Sequence, residues 1–167
     1  MDSPLERALP PEPSGFSPGA EANGYPLGAT EAMSYWRLFY HIVFATKNRE
    51  LLITEDFSER LYGVIVAKAE ELGARFHAIG GMEDHLHLAV SVPPSIALSD
   101  FVGQIKGTSS HFVNHVLTLP YHFSWQQGYG VVSFGEKRLE IVRAYVQNQQ
   151  KHHEEMAPIP FLERTQR

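Results

Sequence analysis

His85 and His87 stand one residue apart inside the apolar run GGMEDHLHLAVSVPP, residues 80–94. In an extended chain successive side chains alternate faces, so His85, His87, Ala89 and Ser91 share one face while Leu86, Leu88, Val90 and Val92 share the other. Imidazoles at i and i+2 of a strand have Cα atoms roughly 6.6 Å apart and can share one divalent ion at about 2.1 Å per bond. The same spacing also describes solvated or hydrogen-bonded core histidines, so the pair by itself leaves both readings open. A second constellation lies near the C-terminus, where AYVQNQQ sets Tyr145 and Gln149 four residues apart, one above the other on a helix face. A lone tyrosine there is a packing residue whose hydroxyl reaches the surface. Beside Gln149 it gains a chemical reading. An ion held by two imidazoles and one amide oxygen keeps its full positive charge and its open positions, and can polarise a phosphodiester for in-line attack. Tyr145 is then the nucleophile.

The elements that must position these groups are legible from periodicity. YWRLFYHIVFAT (residues 35–46) is aromatic and β-branched on both faces, the pattern of a central strand covered on two sides. TEDFSERLYGVIVAKAEELG (54–73) spaces Leu61, Val64, Ile65, Lys68 and Leu72 by threes and fours, with Thr54 as cap and Gly73 as stop, which predicts a helix. ARFHAIGGMEDHLHLAVSV (74–92) predicts two strands joined at Gly80, Gly81 and Glu83, with Asp84 near the second strand's start. A second helix follows, with Leu98, Phe101, Ile105, Phe112 and Val116 on one side; Gly103 and Gly107 weaken it by about 1 kcal/mol each. FSWQQGYGVVSF (123–134) predicts a final strand pair or bent strand, and EKRLEIVRAYVQNQQKHH (136–153) a third helix. The order strand, helix, hairpin, helix, strand, with a trailing helix, predicts an α+β fold: a ferredoxin-like (RRM-like) sandwich, an antiparallel sheet with helices on one side and a C-terminal helix carrying the tyrosine.

Composition bounds the partners. The 167 residues are 43% hydrophobic and 20% charged, ordinary for one globular domain. Zero cysteines exclude disulfides, thiolate metal sites and a cysteine nucleophile, and fit a cytoplasmic setting. Residues 1–33 are rich in Pro, Gly, Ser and Ala without periodicity, which predicts a disordered leader. They lack both the basic start and apolar block of a signal peptide and the roughly 18 apolar residues of a membrane anchor. Residues 154–167 read as a flexible tail. The formal charge of −5 argues against a nucleic-acid partner at first sight, but the leader carries −4 and the tail −1, so residues 34–153 are neutral.

Four stretches in order, YHIVFATKNRE, MEDHLHLAVSVPPSIALSDFVGQIKGTSSHFVN, SWQQGYGVVSF and VRAYVQNQQKHH, resemble the bacterial single-tyrosine transposases of the His-hydrophobic-His (HUH) endonuclease superfamily. That group includes the TnpA insertion-sequence transposases and the REP-associated tyrosine transposases. The likeness covers residues 35–153, within an expected endonuclease domain of 34–153. It implies a metal-dependent enzyme that cuts and rejoins single-stranded DNA at hairpin-flanked ends through a 5′-phosphotyrosine intermediate, releasing a 3′ hydroxyl and needing no nucleotide cofactor. By position it implies His85 and His87 as the metal-binding pair, Gln149 as third ligand, Tyr145 as catalytic tyrosine, and Mg or Mn as the ion. It further implies a homodimer, in which the tyrosine helix of many members serves the partner's site, and a nucleoid-associated location. One departure is Glu83, where the family commonly has proline.

Residues backing the ligands are Glu83, Asp84 and His41; a solvated turn acid is the competing reading for the first two. Lys47, Arg49, Lys106, Ser109 and Arg143 are candidate DNA contacts, each also readable as an ordinary surface residue. Trp125, Tyr129 and Phe134 could stack bases, although core packing is the better reading. Two other functions stay open: a domesticated or inactive hairpin-binding protein of the same fold, and a small metalloenzyme using His85 and His87 with Glu83. Histidine ligands must be neutral, so strand cleavage is expected to fall below about pH 6, and a rate unchanged between roughly pH 5 and 8 would count against the assignment.

Overall fold

The structure is a computed structural model that describes residues 35–117 and 119–149. The expected leader, the tail and the last turn of the predicted C-terminal helix lie outside the described residues.

The elements are β1 (Phe39–Ala45), a 3-10 turn (Lys47–Arg49), α1 (Glu55–Glu71), β2 (Arg75–Gly81), β3 (His85–Ser91), α2 (Leu98–His115), β4 (Gly130–Phe134), a second 3-10 turn (Glu136–Arg138) and α3 (Leu139–Gln147). The strands form one antiparallel sheet in the order β2-β3-β1-β4. This is the ferredoxin-like arrangement, and it places the doubly apolar β1 beside β3 in the middle. Thr54 stands at the start of α1, but through its carbonyl, which accepts from the Phe57 and Ser58 amides; its hydroxyl makes no capping bond. Gly73, at φ 75°, turns the chain out of α1 in the left-handed region that only glycine adopts without strain.

The two sheet faces differ in what covers them. Ile42, Phe44, Leu86, Leu88 and Val90 meet Phe57, Leu61 and Ile65 of α1 and Phe101, Ile105 and Val113 of α2 in the main core. On the opposite face Ala78 and Ala89 meet Val142 and Val146 of α3, with Phe134 alongside. The alternation read from residues 85–92 therefore holds: leucines into the main core, histidines toward α3.

Two local expectations need correction. Gly80 and Gly81 are not turn residues. β2 runs through Gly81 and the turn is made by residues 82–84, because pairing of Gly80 with His87 and Gly81 with Leu86 extends the ladder to its end. Of the strand pair or bent strand expected over residues 123–134, the pair does not form and β4 is the one strand. Before β4 the chain makes an isolated bridge between Thr46 and Trp125 and then a loop held by side chains. Lys106 Nζ donates to the carbonyls of Gln126 (2.9 Å) and Gly128 (2.7 Å) and lies over the rings of Phe44 and Tyr129. Trp125 sets its edge against Phe44 and Phe123, each 4.8 Å between centroids, and its indole N–H donates to Ser109 Oγ. Packing, not base stacking, occupies Trp125 and Tyr129.

Burial draws Lys106 down to about 8, and the carbonyls around it are what hold its proton in the fold. Lys106→Met, which leaves those carbonyls without their donor, is expected to lower unfolding stability by about 2 kcal/mol in urea titration.

Candidate active site

β1 and β3 set three imidazoles on the sheet face beneath α3. The register pairs Val43 with His87, Ala45 with His85 and His41 with Ala89, so His41 sits diagonally across from His87. All three histidines are buried. His41 Nε2 lies 2.9 Å from His87 Nδ1, and the His85 and His87 rings are 5.0 Å apart between centroids at 73°. His85 Nδ1 donates to Asp84 Oδ1 at 2.5 Å. In both His85 and His87 the Nδ1 atom is thus committed within the fold, and a cation would be met through Nε2. A lone pair on His87 Nε2 requires Nδ1 to carry the hydrogen and donate it to His41; the neighbour sets the tautomer.

Asp84 is itself held. Arg49 Nη1 donates to its second oxygen at 2.7 Å, and Arg49 and Asn48 occupy left-handed backbone at φ 55° and 57°, which L-residues adopt at a cost of about 1–2 kcal/mol each. Burial opposes ionisation of Asp84, but the hydrogen bonds from His85 and Arg49 outweigh it and bring the carboxyl to about 2. The chain Arg49, Asp84, His85 fixes one ring; His41 fixes the other.

α3 brings the remaining groups. Val142 packs over Ala89 and Ala78, and the Val146 carbonyl comes down on Gly80, the partner of His87. The helix therefore runs antiparallel to β3 with Tyr145 above the histidines, its ring centroid 6.0 Å from His87 and 6.3 Å from His41 within one chain. Tyr145 is 4% exposed. One turn on, toward the His85 end, Gln149 is 2% exposed; its Nε2 reaches the Tyr145 carbonyl at 3.4 Å, and its Oε1 has no hydrogen-bond partner among the described residues. A buried carbonyl oxygen left without a donor costs about 1–3 kcal/mol, which a cation would offset. Among the described residues no group of three or more His, Asp or Glu could hold a metal ion. Two neutral imidazoles and an amide oxygen would leave a divalent ion its full charge.

The other sequence candidates fall apart in space. Glu83 is exposed and only its carbonyl is engaged, accepting from the Ile53 amide at 2.8 Å. Ser109 is buried, donating to the Ile105 carbonyl at 2.7 Å, and Lys106 is turned into its loop; neither points a donor at a phosphate, because packing on α2 consumes both. Arg49 serves Asp84 rather than standing open. Arg143 pairs with Glu140, and Lys47 is exposed. The role of Gly80 went unread. Its signal was a glycine inside a strand pattern, which marks close approach by another backbone.

A ferredoxin-like domain with a histidine pair on one sheet face and a tyrosine helix laid over it defines the class, and comparison narrows it. Residues 34–149 match the model of the family described as "Transposase IS200 like". The chain belongs to the IS200-like transposase family. It is 29% identical over 138 residues to the transposase for insertion sequence element IS200 of Salmonella typhimurium, covering 78% of this chain and 90% of that one. It is 25% identical over 130 residues to the ISDra2 transposase TnpA of Deinococcus radiodurans, covering 74% and 93%. Among solved structures, a REP-associated tyrosine transposase bound to a REP hairpin shares the fold with a TM-score of 0.54 at 16% identity, over 75% of this chain and 74% of that chain.

A Cβ on Gly80 would lie 2.1 Å from the Val146 carbonyl oxygen, whereas one on Gly63 in α1 meets nothing within 4 Å. Gly80→Ala must displace α3 and is expected to lose about 1–3 kcal/mol. Gly63→Ala is expected to be neutral or to gain up to about 1 kcal/mol. Equilibrium unfolding of the pair measures the difference.

Proposed function

We propose that this chain cuts and rejoins single-stranded DNA at hairpin-flanked ends by way of a covalent phosphotyrosine, with a divalent cation, Mg or Mn, held by His85, His87 and Gln149. The observation carrying the reading is the position of Tyr145 over the histidine pair, with the orphaned Gln149 oxygen one turn away. A cation bound there supplies positive charge at a phosphate oxygen and aids ionisation of the phenol, whose ordinary pKa is near 10.

The chain's own groups do the rest. Tyr145 Oη, its proton lost to solvent, attacks phosphorus; the new bond joins phosphate to tyrosine, the bond to the 3′ oxygen breaks, and that oxygen takes up a proton. The phosphotyrosine keeps the energy of the broken linkage, so a second 3′ hydroxyl can reverse the step without ATP. Asp84 and His41 hold the two imidazoles aimed, each through its Nδ1. The hairpin in the structurally similar REP-associated enzyme supports a folded single strand as substrate, and two copies of the chain would handle the two element ends.

The test is a denaturing gel of protein incubated with Mg2+ or Mn2+ and labelled single strands taken from the gene's flanks, chosen by a search there for imperfect palindromes. Wild type is expected to leave a covalent adduct that disappears with EDTA and in Tyr145→Phe. Cleavage that persists in Tyr145→Phe refutes the mechanism, and hairpin binding without any adduct favours the inactive binding protein.

A further inference from the structure

The face that carries the histidines continues past them into a group of arginines and aromatic rings. At the far end of β3, Ser91 Oγ lies 2.8 Å from His77 Nε2, and about 14 Å of strand separates Ser91 from His87 at roughly 3.4 Å per residue. Phe39 stacks on Phe134 at 5.8 Å and approaches His77 at 5.5 Å. Arg37 lies over the Phe39 ring. Arg75 is paired in register with Ser91, and Arg143 projects from the first half of α3. Burial, then the charges of Arg75, Arg143 and Arg37, hold the His77 imidazole below its ordinary range, with Glu140 opposing them. Arg37, through Phe39, and Arg75, through Ser91, thus stand on either side of His77.

We propose that Arg37, Arg75 and Arg143 bind the backbone of the single-stranded DNA segment that leads away from the histidine–tyrosine centre. The inference rests on the strand-transfer reading for its choice of ligand. Two features favour phosphate over a passive surface role. Arg37 and Arg75 are exposed, and Arg75 has no ion pair among the described residues. The carboxylates beside the other two, Glu136 on Arg37 and Glu140 on Arg143, are largely exposed, with side chains 58% and 79% accessible. Such surface pairs are weak enough for a phosphate to replace them. A neutral domain can thus bind a polyanion where its positive charge is gathered.

The experiment measures fluorescence anisotropy of labelled dT30 with the full chain across a salt series, for wild type, Arg37→Ala/Arg75→Ala and Arg37→Lys/Arg75→Lys. Both positions are exposed, and the denaturation midpoint checks that the fold is kept. Losing two phosphate contacts should weaken binding about tenfold or more near 0.1 M salt and flatten the dependence of log K on log salt by about 1.4; the lysine variant should keep most of the slope. Unchanged affinity and slope in the alanine variant, or no dT30 binding by wild type, overturns the proposal. A wild-type covalent adduct with an unchanged slope removes this surface and leaves strand transfer intact; a lost slope with no adduct does the reverse.

Discussion

The arrangement hangs on a backbone-to-backbone approach. The carbonyl of Val146 comes so close to Gly80 that any side chain there would collide with it. That contact fixes how near α3 can lie to β2 and β3, and hence the height of Tyr145 above His87. The apolar support around it is small: Ala78 and Ala89 below, Val142 and Val146 above, Phe134 at the side. Short side chains below and a missing one at Gly80 let the helix axis descend; larger residues would lift the phenol off the imidazoles. The same economy leaves α3 held by far less apolar surface than α1 and α2. Beneath it Tyr145 is almost fully covered.

Two of the imidazoles under α3 have polar partners on the sheet and its adjoining turn. His85 answers to Asp84 and, through it, to Arg49 on a strained turn; His87 answers to His41 on the neighbouring strand. Both supports come from the sheet and its adjoining turn. Two unlike supports, an anion for one ring and a neutral ring for the other, also make the two nitrogens unequal as donors.

Charge follows the same division. Totals over residues 34–153 cancel, which hides where the cations stand: Arg37 and Arg75 are exposed at the His77 end of the sheet, while Lys106 is drawn into a loop on the other side. Counting along the chain cannot see this, because these arginines come from the approach to β1 and from β2.

Local pattern determined much of the outcome. The alternation over residues 85–92 and the two-faced apolarity of β1 settle which face of each strand is packed, since side-chain direction in a strand is a property of the chain itself, and the order of elements restricts the topology to very few sheets. The i,i+4 spacing of Tyr145 and Gln149 likewise needs only a helix. What required the tertiary structure is everything that depends on distance between segments far apart in sequence. Asp84 reads as a turn acid until Arg49 and His85 close on it, Ser109 and Lys106 read as surface donors until the 123–128 loop covers them, and Gly80 reads as a turn until α3 lands on it. The physical reason is the same in each case: propensity and periodicity act over a few residues, whereas desolvation, hydrogen-bond partnership and steric exclusion are decided by whichever segment the fold brings alongside.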